Sequence, residues 1–488
     1  MSTPIHTRTA AGLAAAVASG ELTAQEAVEA HLERIAEADP AVNAVTTPLA
    51  DRARAEAAQV DRRRAAGERL GPLAGVPFTV KENVHVAGTA TTFGVPRLRD
   101  LVAREDAPPV RRLRAAGAVC VGRTNLPDMT LGGVHTRSTL YGDTVNPWDP
   151  GRTPGGTSGG DAVAVATGMA PLGLGNDSGG SVRVPAAFCG VAGLKPGYGR
   201  IASDHRVGGR EPTLAAQMFP VDGPIARSVG DLRLALSVLA GPDAGDPRAL
   251  PVPLEGPPLP GPVRVGVAAE PFGPGTTDPA AHAAVAAAAE ALQDAGYAVQ
   301  DAVPPQQDEA LEAYARLTTA EFALARPQIE ELMGEEARRH IAYSSDRNPP
   351  PDLAGYVQAA ADRLGAQRAW ARFQEEVPLL LGPVFTGPVP APGEELVDPG
   401  AHERVTRGLG LCAVTTCVGV PAVAVPVGTA GGLPRSVQVI GPMHREDLCL
   451  EAAEAIERRF GALAPVDPRG IRHTRTAAPP WSGTTGPA

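Results

Sequence analysis

The residues best equipped for chemistry fall in one block, GGTSGGDAVAVATGMAPLGLGNDSGGSVRVPAAFCGVAGLKP, Gly155–Pro196. Its two Gly-rich loops carry Thr157 and Ser158 in the first and Ser178 and Ser181 in the second, with Asp177 and Arg183 on either side of the second pair. A hydroxyl is a weak nucleophile until a base removes its proton and donors hold the charge that builds on the attacked oxygen. Small residues let backbone pack on backbone, and loops around active sites are often built this way. Upstream, LAGVPFTVK (Leu73–Lys81) reads as an apolar strand ending on a lysine. Taken alone, such a lysine is one whose head snorkels to water at a strand end. No HExxH, Walker A loop, GxGxxG or CxxC occurs, so zinc proteases, P-loop NTPases and dinucleotide enzymes lack their signatures.

The elements that must hold this block have the rhythm of a sheet covered by helices. Leu73–Lys81 is a strand, Ala107–Gly117 a helix and AVCVGRTN (Ala118–Asn125) the next strand. The stretch AVAVATGMAPLGLG is too apolar for a linker and is expected to be buried. Gly241–Pro262, dense in proline, reads as a stiff surface connector. VRVGVAA, a helix opening at Asp278-Pro279, and YAVQDA form another β-α-β unit. Residues 307–378 are helical, charged and rich in Arg and Glu, an insertion or lid over the core. The chain returns to strands in VPAVAVPVG and SVQVIG, and a helix from Glu446 closes it. Ahead of all this, residues 1–60 read as N-terminal helices. Thr23 and Glu26 form a capping box there, and Val28, Leu32 and Ile35 share one helical face. This argues against a cleaved signal peptide in AAGLAAAVASG, whose positive flank is Arg8 alone. Asp467–Ala488 reads as a frayed tail.

One likeness misleads. NDSGGS is similar to the GDSGG loop of chymotrypsin-like proteases, which would make Ser178 the nucleophile. That fold needs two β-barrels and a histidine in a recognisable N-terminal setting, and the Ala-rich helical flanks here supply neither. The chain instead resembles the amidase signature family. The likeness rests on GPLAGVPFTVKENV, GRTNLPDM, YGDTVNPWDPGRTPGGTSGG, GNDSGGSVRVPAAFCGVAGLKPGYGR, DGPIARSVGDLRLAL and RSVQVIG, in that order. It covers most of residues 10–460, with 307–378 matching least, so residues 1–466 are expected to form one domain whose catalytic core is 61–240. The implied fold is α/β, a single large mixed twisted sheet sandwiched between helical layers.

The resemblance also assigns roles. Ser181 matches the attacking serine, and the loop Ser178, Gly179, Gly180 and Ser181 would aim backbone N–H groups at the carbonyl oxygen. Lys81 matches the general base. A lysine acts as base only when neutral, so it must be buried and short of carboxylates, with Glu82 turned to the other face. Bringing its pKa from about 10.4 to about 7–8 corresponds to roughly 4 kcal/mol. The family's first Gly-rich loop usually holds two serines, the first bridging lysine and nucleophile, often after a cis peptide. By its spacing from Ser181, Thr157 stands here at the bridge and Ser158 is the supporting hydroxyl. Threonine keeps the hydroxyl but adds a methyl that stiffens χ1; a relay through Ser158 is the lesser alternative. Asp177 and Arg183 are expected to pair and hold the loop. Thr130 and Gly132 match positions lining the family's acyl pocket. Cys189 reads as packing, and His85 and His135 receive no role.

The implied activity is hydrolysis of a carboxylic amide to acid plus ammonia or amine, through a Ser181 acyl-enzyme with a Lys81–Thr157 proton relay, and with no metal or cofactor. Three other readings stay open: the glutaminase subunit of a tRNA-dependent amidotransferase, an acyl-transferring or amide-forming biosynthetic relative, and a scaffold on a dead fold. The segment ARLTTAEFALARPQIEELM lacks the asparagine- and glycine-containing pattern of those glutaminase subunits. With a net charge of −10 over 488 residues and no basic patch, nucleic acid and anionic membranes are poor partners. Gly, Pro, Thr or a charge interrupts every apolar run before it could span a bilayer. Five scattered cysteines suit buried thiols in a reducing cytoplasm. The expected partner is a small-molecule amide, with a homodimer left open.

Overall fold

The computed structural model describes residues 4–463 and 465–470. In chain order its strands are β1 (Val45–Pro48), β2 (Pro77–Lys81), β3 (Val119–Thr124), the short pair β4 (Arg137–Ser138) and β5 (Gly142–Asp143), β6 (Leu172–Asp177), β7 (Ala192–Lys195), β8 (Val221–Ala226), β9 (Arg264–Val267), β10 (Ala298–Asp301), β11 (Leu379–Pro383), β12 (Ala422–Ala430) and β13 (Leu433–Ile440). All but β4 and β5 join one 11-stranded sheet ordered β1-β3-β2-β6-β8-β7-β12-β13-β11-β9-β10. It is mixed: β3, β2 and β6 run parallel, as do β11, β9 and β10, and the strands between alternate. Every residue of β2, β3, β6, β7, β8 and β11 is buried. Successive side chains point to opposite faces, so both faces of the sheet must be covered by helices.

The helices do this from both ends of the chain. α1 (Ala10–Ser19) and α2 (Ala24–Val42) are the expected N-terminal pair. The capping box closes as the sequence indicates: Thr23 Oγ1 accepts from the Glu26 amide, and the Glu26 carboxylate accepts from the Thr23 amide. A third helix, α3 (Ala50–Ala65), follows edge strand β1. Next come α4 (Pro108–Ala115), α5 (Gly159–Ala166), α6 (Arg183–Cys189), α7 (Leu214–Met218), α8 (Val229–Leu239) and α9 (Pro279–Asp294). α5 and α6 pack on each other, α5 against β2 and β6 and α6 against β12 and β13. α8, α9 and α15 (Glu446–Phe460) pack as a second group against β7, β8, β11 and β12. The apolar stretch expected to be buried is α5 running into β6, with no exposed residue between Gly159 and Asp177.

Residues 307–378 contain α10 (Gln307–Glu330), α11 (Glu335–Arg347) and α12 (Leu353–Glu376). Ahead of α15 lie α13 (Pro399–Gly408) and α14 (Gly410–Val418). α10 packs on α12 and α14, and Trp370 with Leu411 and Val414 makes a separate apolar cluster beneath them. The Pro-rich 241–262 stretch has no helix and no strand of the sheet. Of the expected tail, Pro468–Gly470 forms a single turn, and Asp467 lies 3.7 Å from Arg34; residues 471–488 lie outside the described residues.

Candidate active site

Three backbone segments meet at the site because β2 and β6 are parallel neighbours, in register Val80↔Leu174. The C-terminal end of β2 delivers Lys81, and that of β6 delivers Asn176 and Asp177. α5 packs across both strands, so the loop before it brings Thr157 and Ser158 to the same place. The Gly156–Thr157 peptide bond is cis. Gly156 lies against the carbonyl oxygen of His135, 2.4 Å from where a Cβ would stand, so no side chain fits there.

Lys81 is fully buried. Its Nζ lies 2.6 Å from Thr157 Oγ1 and donates to Asn176 Oδ1 at 2.8 Å. The amide oxygen of Asn176 can only accept, so it occupies one N–H and leaves a lone pair of a neutral amine free to face the threonine hydroxyl. Burial pushes Lys81 well below its ordinary 10.5, against the pull of Asp161, Asp177 and Asp222. The lysine is therefore not short of carboxylates, as the sequence suggests it should be. Asp177 is tied up by Arg183. Asp161, in the first turn of α5, accepts a hydrogen bond from Thr79 at 3.0 Å, and the Thr124 hydroxyl also favours its charged form. Burial raises Asp161 as it lowers Lys81, so the pair leans toward its neutral forms. Glu82 is buried on its own side with Thr46, Thr92 and Tyr141.

Ser158 supports the floor of the site. Its amide donates to the Ser181 carbonyl at 3.1 Å, and its Oγ donates to the Asn176 carbonyl at 3.3 Å. Ser181 itself is half-buried just before α6. Among the described residues no hydrogen bond joins Thr157 Oγ1 to Ser181 Oγ, and such contacts are commonly loose until substrate binds.

The expected Asp177–Arg183 pair is present and wholly buried, at 2.9 Å. Asp177 does more than pair: it accepts the Gly180 amide at 2.8 Å, the Gly179 amide at 3.3 Å and the Val182 amide at 3.2 Å. Two of the four loop amides expected to face a substrate oxygen are thus turned at least partly to Asp177. Those of Ser178 and Ser181 have no acceptor among the described residues. Arg183 reaches on to Thr415, Thr416 and the Cys412 carbonyl of α14 and to Gln438 of β13, bolting the loop to the far half of the sheet. Gly180 has φ +120° and lies against Val184 and Cys412, so the loop has room for glycine only.

Gly132 lines a cavity of about 150 Å³ together with Pro127, His135, Arg137 and Glu336, while Thr130 does not. Thr130 sits at φ +63° with its hydroxyl on the Met129 carbonyl. His135, given no role from the sequence, is buried between Glu395 at 2.8 Å and Glu336 at 3.6 Å. Burial works to lower it, and the hydrogen bonds its ring N–H groups donate to the two carboxylates override that and raise it to about 9. Arg137 holds Glu336 and Asp143, which ties α11 to the core beside this cavity. His85 bonds Thr91. All five cysteines are free and buried. Among the described residues no group of His, Cys, Asp and Glu is arranged to hold a metal, and no helix is long and apolar enough to cross a membrane.

Sequence reasoning missed Asn176, Asp161 and Tyr314. Asn176 carries a signal, a polar side chain in an otherwise apolar buried strand directly before Asp177. Tyr314 carries none, since only the packing of α10 brings its hydroxyl to the Ser178 carbonyl, at 2.5 Å.

The chain is similar to known proteins over most of its length. The family model described as Amidase matches residues 26–450. The chain is 39% identical over 466 residues, 94% of this chain and 88% of the other, to an indoleacetamide hydrolase of Bradyrhizobium diazoefficiens. It is 35% identical over 91% of its length to the A subunit of a glutamyl-tRNA(Gln) amidotransferase from Synechococcus sp., 95% of which is covered. The solved structure of 6-aminohexanoate cyclic dimer hydrolase complexed with substrate superposes with a TM-score of 0.81 at 30% identity, covering 94% of this chain and 99% of that one.

Proposed function

The chain belongs to the amidase family, hydrolases acting on amide C–N bonds, and from that premise we propose that it cleaves a small carboxylic amide through an acyl-enzyme on Ser181. The observation that carries this reading is the 2.6 Å contact between a buried Lys81 Nζ and Thr157 Oγ1 at the mouth of the Ser178–Ser181 loop. Neutral Lys81 takes the Thr157 proton while Thr157 takes that of Ser181, whose Oγ bonds to the amide carbon. The loop amides hold the oxyanion. As the tetrahedral species collapses, the C–N bond breaks and the relay returns a proton to the departing ammonia or amine. Water, deprotonated by the same relay, then displaces Ser181 and releases the acid. Threonine at the bridge preserves the one feature the relay needs, a hydroxyl able to accept and donate.

We favour a stand-alone hydrolase over a component of an amidotransferase. The relative with the higher identity is named an indoleacetamide hydrolase, and α10 lacks the pattern expected of glutaminase subunits. Indole-3-acetamide is therefore the first substrate to try, with glutamine and simple aryl and aliphatic amides alongside, read as ammonia release by the whole chain and by Ser181→Ala. Turnover of a free amide that vanishes in Ser181→Ala supports the proposal. Activity with glutamine alone, or co-purifying partner subunits, favours the amidotransferase reading. Unchanged turnover in Ser181→Ala overturns the nucleophile assignment.

A further inference from the structure

Resting on the Ser181 reading above, we propose that Tyr314 of α10 is a positioning residue that holds the Ser178–Gly179 peptide plane, so that the oxyanion-binding loop is set before the substrate arrives. The tyrosine hydroxyl donates to the Ser178 carbonyl at 2.5 Å. In a planar trans peptide the carbonyl and the following N–H point opposite ways, so fixing Ser178 O also fixes the aim of the Gly179 N–H. That loop needs such a hold. It contains two successive glycines, the residues with the most backbone freedom to lose. Asp177 grips it from inside, closely at Gly180 (2.8 Å) and loosely at Gly179 (3.3 Å). Tyr314 grips the opposite edge of the same peptide, where Asp177 is weakest.

The fit between helix and loop is close on both sides. A Cβ on Gly179 would stand 2.9 Å from the Tyr314 hydroxyl, so only glycine leaves room for the contact. The Tyr314 ring packs on Phe219 with centroids 4.9 Å apart, and the cluster around them includes Leu317 and Ala359. Burial raises the phenol to about 12, which keeps its proton in place as a donor throughout the neutral range. Donation to the carbonyl also polarises the peptide and strengthens its N–H toward Asp177, so both edges of the plane help to hold the loop. α10, from the insertion of residues 307–378, therefore helps to complete the site: without it the Ser178 carbonyl has no donor among the described residues.

The test compares wild type with Tyr314→Phe, which removes one oxygen and keeps the ring. Both full-length proteins are labelled with a fluorophosphonate, whose transition state also builds charge on an oxygen in the loop. Labelling is read as the rate of adduct formation on Ser181, alongside kcat and KM for an amide that wild type hydrolyses. The expected result is labelling and kcat reduced about tenfold, the scale of one lost hydrogen bond, with KM within about twofold and the thermal midpoint within about 2 °C. Wild-type rates in Tyr314→Phe would overturn the inference. So would a loss of rate matched by a fall in thermal midpoint of many degrees, which would mark a role in folding alone. Failure of wild type to label at Ser181 would instead sink the acyl-enzyme reading beneath it.

Discussion

Replacing Thr157 by valine is the perturbation that best separates chemistry from structure. Valine has nearly the shape of threonine, so the packing beside Gly156 is kept and only the hydroxyl is lost. In structural terms the change removes one hydrogen bond, the 2.6 Å contact to Lys81, whose Nζ keeps Asn176 at 2.8 Å. A single hydrogen bond is worth about 1 kcal/mol of stability. In the proposed mechanism the same hydroxyl passes the proton from Ser181 to Lys81, and general base catalysis contributes about 10²–10⁴ in rate. At about 1.36 kcal/mol per tenfold, that is roughly 2.7–5.4 kcal/mol of activation free energy, several times the cost to folding. Thr157→Val should therefore lose at least about a hundredfold in kcat for ammonia release while its urea midpoint moves little. Thr157→Ser, which keeps the hydroxyl, should stay within about tenfold of wild type. If Thr157→Val retains more than about a tenth of wild-type kcat, the relay does not run through Thr157. Ser158→Ala, otherwise expected to act only through loop support, would then be the variant to examine.

Other expectations follow from the same geometry. Because Lys81 works as a neutral base, kcat/KM should fall as pH falls through its lowered pKa. Asp161→Asn removes a carboxyl whose ionised form favours the protonated lysine, so it should move this acid limb to lower pH; a pH–rate profile in which the limb stays put or moves upward contradicts that coupling. Arg183→Met strands the wholly buried Asp177 carboxylate and should cost about 3–5 kcal/mol in urea unfolding. Adding Asp177→Asn should recover part of that loss, and strictly additive costs would deny that the two act as a pair. Gly180→Ala forces a Cβ to 3.0 Å from Val184 and 3.1 Å from Cys412 at φ +120°, and should slow fluorophosphonate labelling and lower the thermal midpoint together. An unchanged labelling rate would mean the loop tolerates displacement.

The strand-and-helix frame is largely legible because its signals are local. Apolar runs such as FTV before Lys81 and AVAV after Val420 mark buried strands, and Thr23 with Glu26 marks a helix start. Lys81, Thr157 and Ser181 can be singled out because the motifs around them match a known family position by position. What the sequence could not reveal depends on elements far apart in the chain meeting in space. Tyr314 lies 136 residues from the carbonyl it holds. Arg183 reaches Thr415 of α14 and Gln438 of β13, in the last quarter of the chain. The orientation of the loop amides escapes a sequence reading for a related reason. Asp177 reads as a partner for Arg183, yet a carboxylate with several acceptor sites also draws in the amides that follow it. The Asp161 carboxyl near Lys81 escapes it too, because in sequence it stands shortly past Thr157 as an ordinary acidic residue in the first turn of a helix.

The central claim, a Ser181 nucleophile driven by Lys81 through Thr157, is tested most directly by fluorophosphonate labelling read by intact mass and peptide mapping. It needs no knowledge of the natural amide. Wild type should take up a single adduct on Ser181, and labelling should be slowed by orders of magnitude in Lys81→Ala and Thr157→Ala and abolished in Ser181→Ala. An adduct on Ser178, or no adduct on folded wild type, would contradict it.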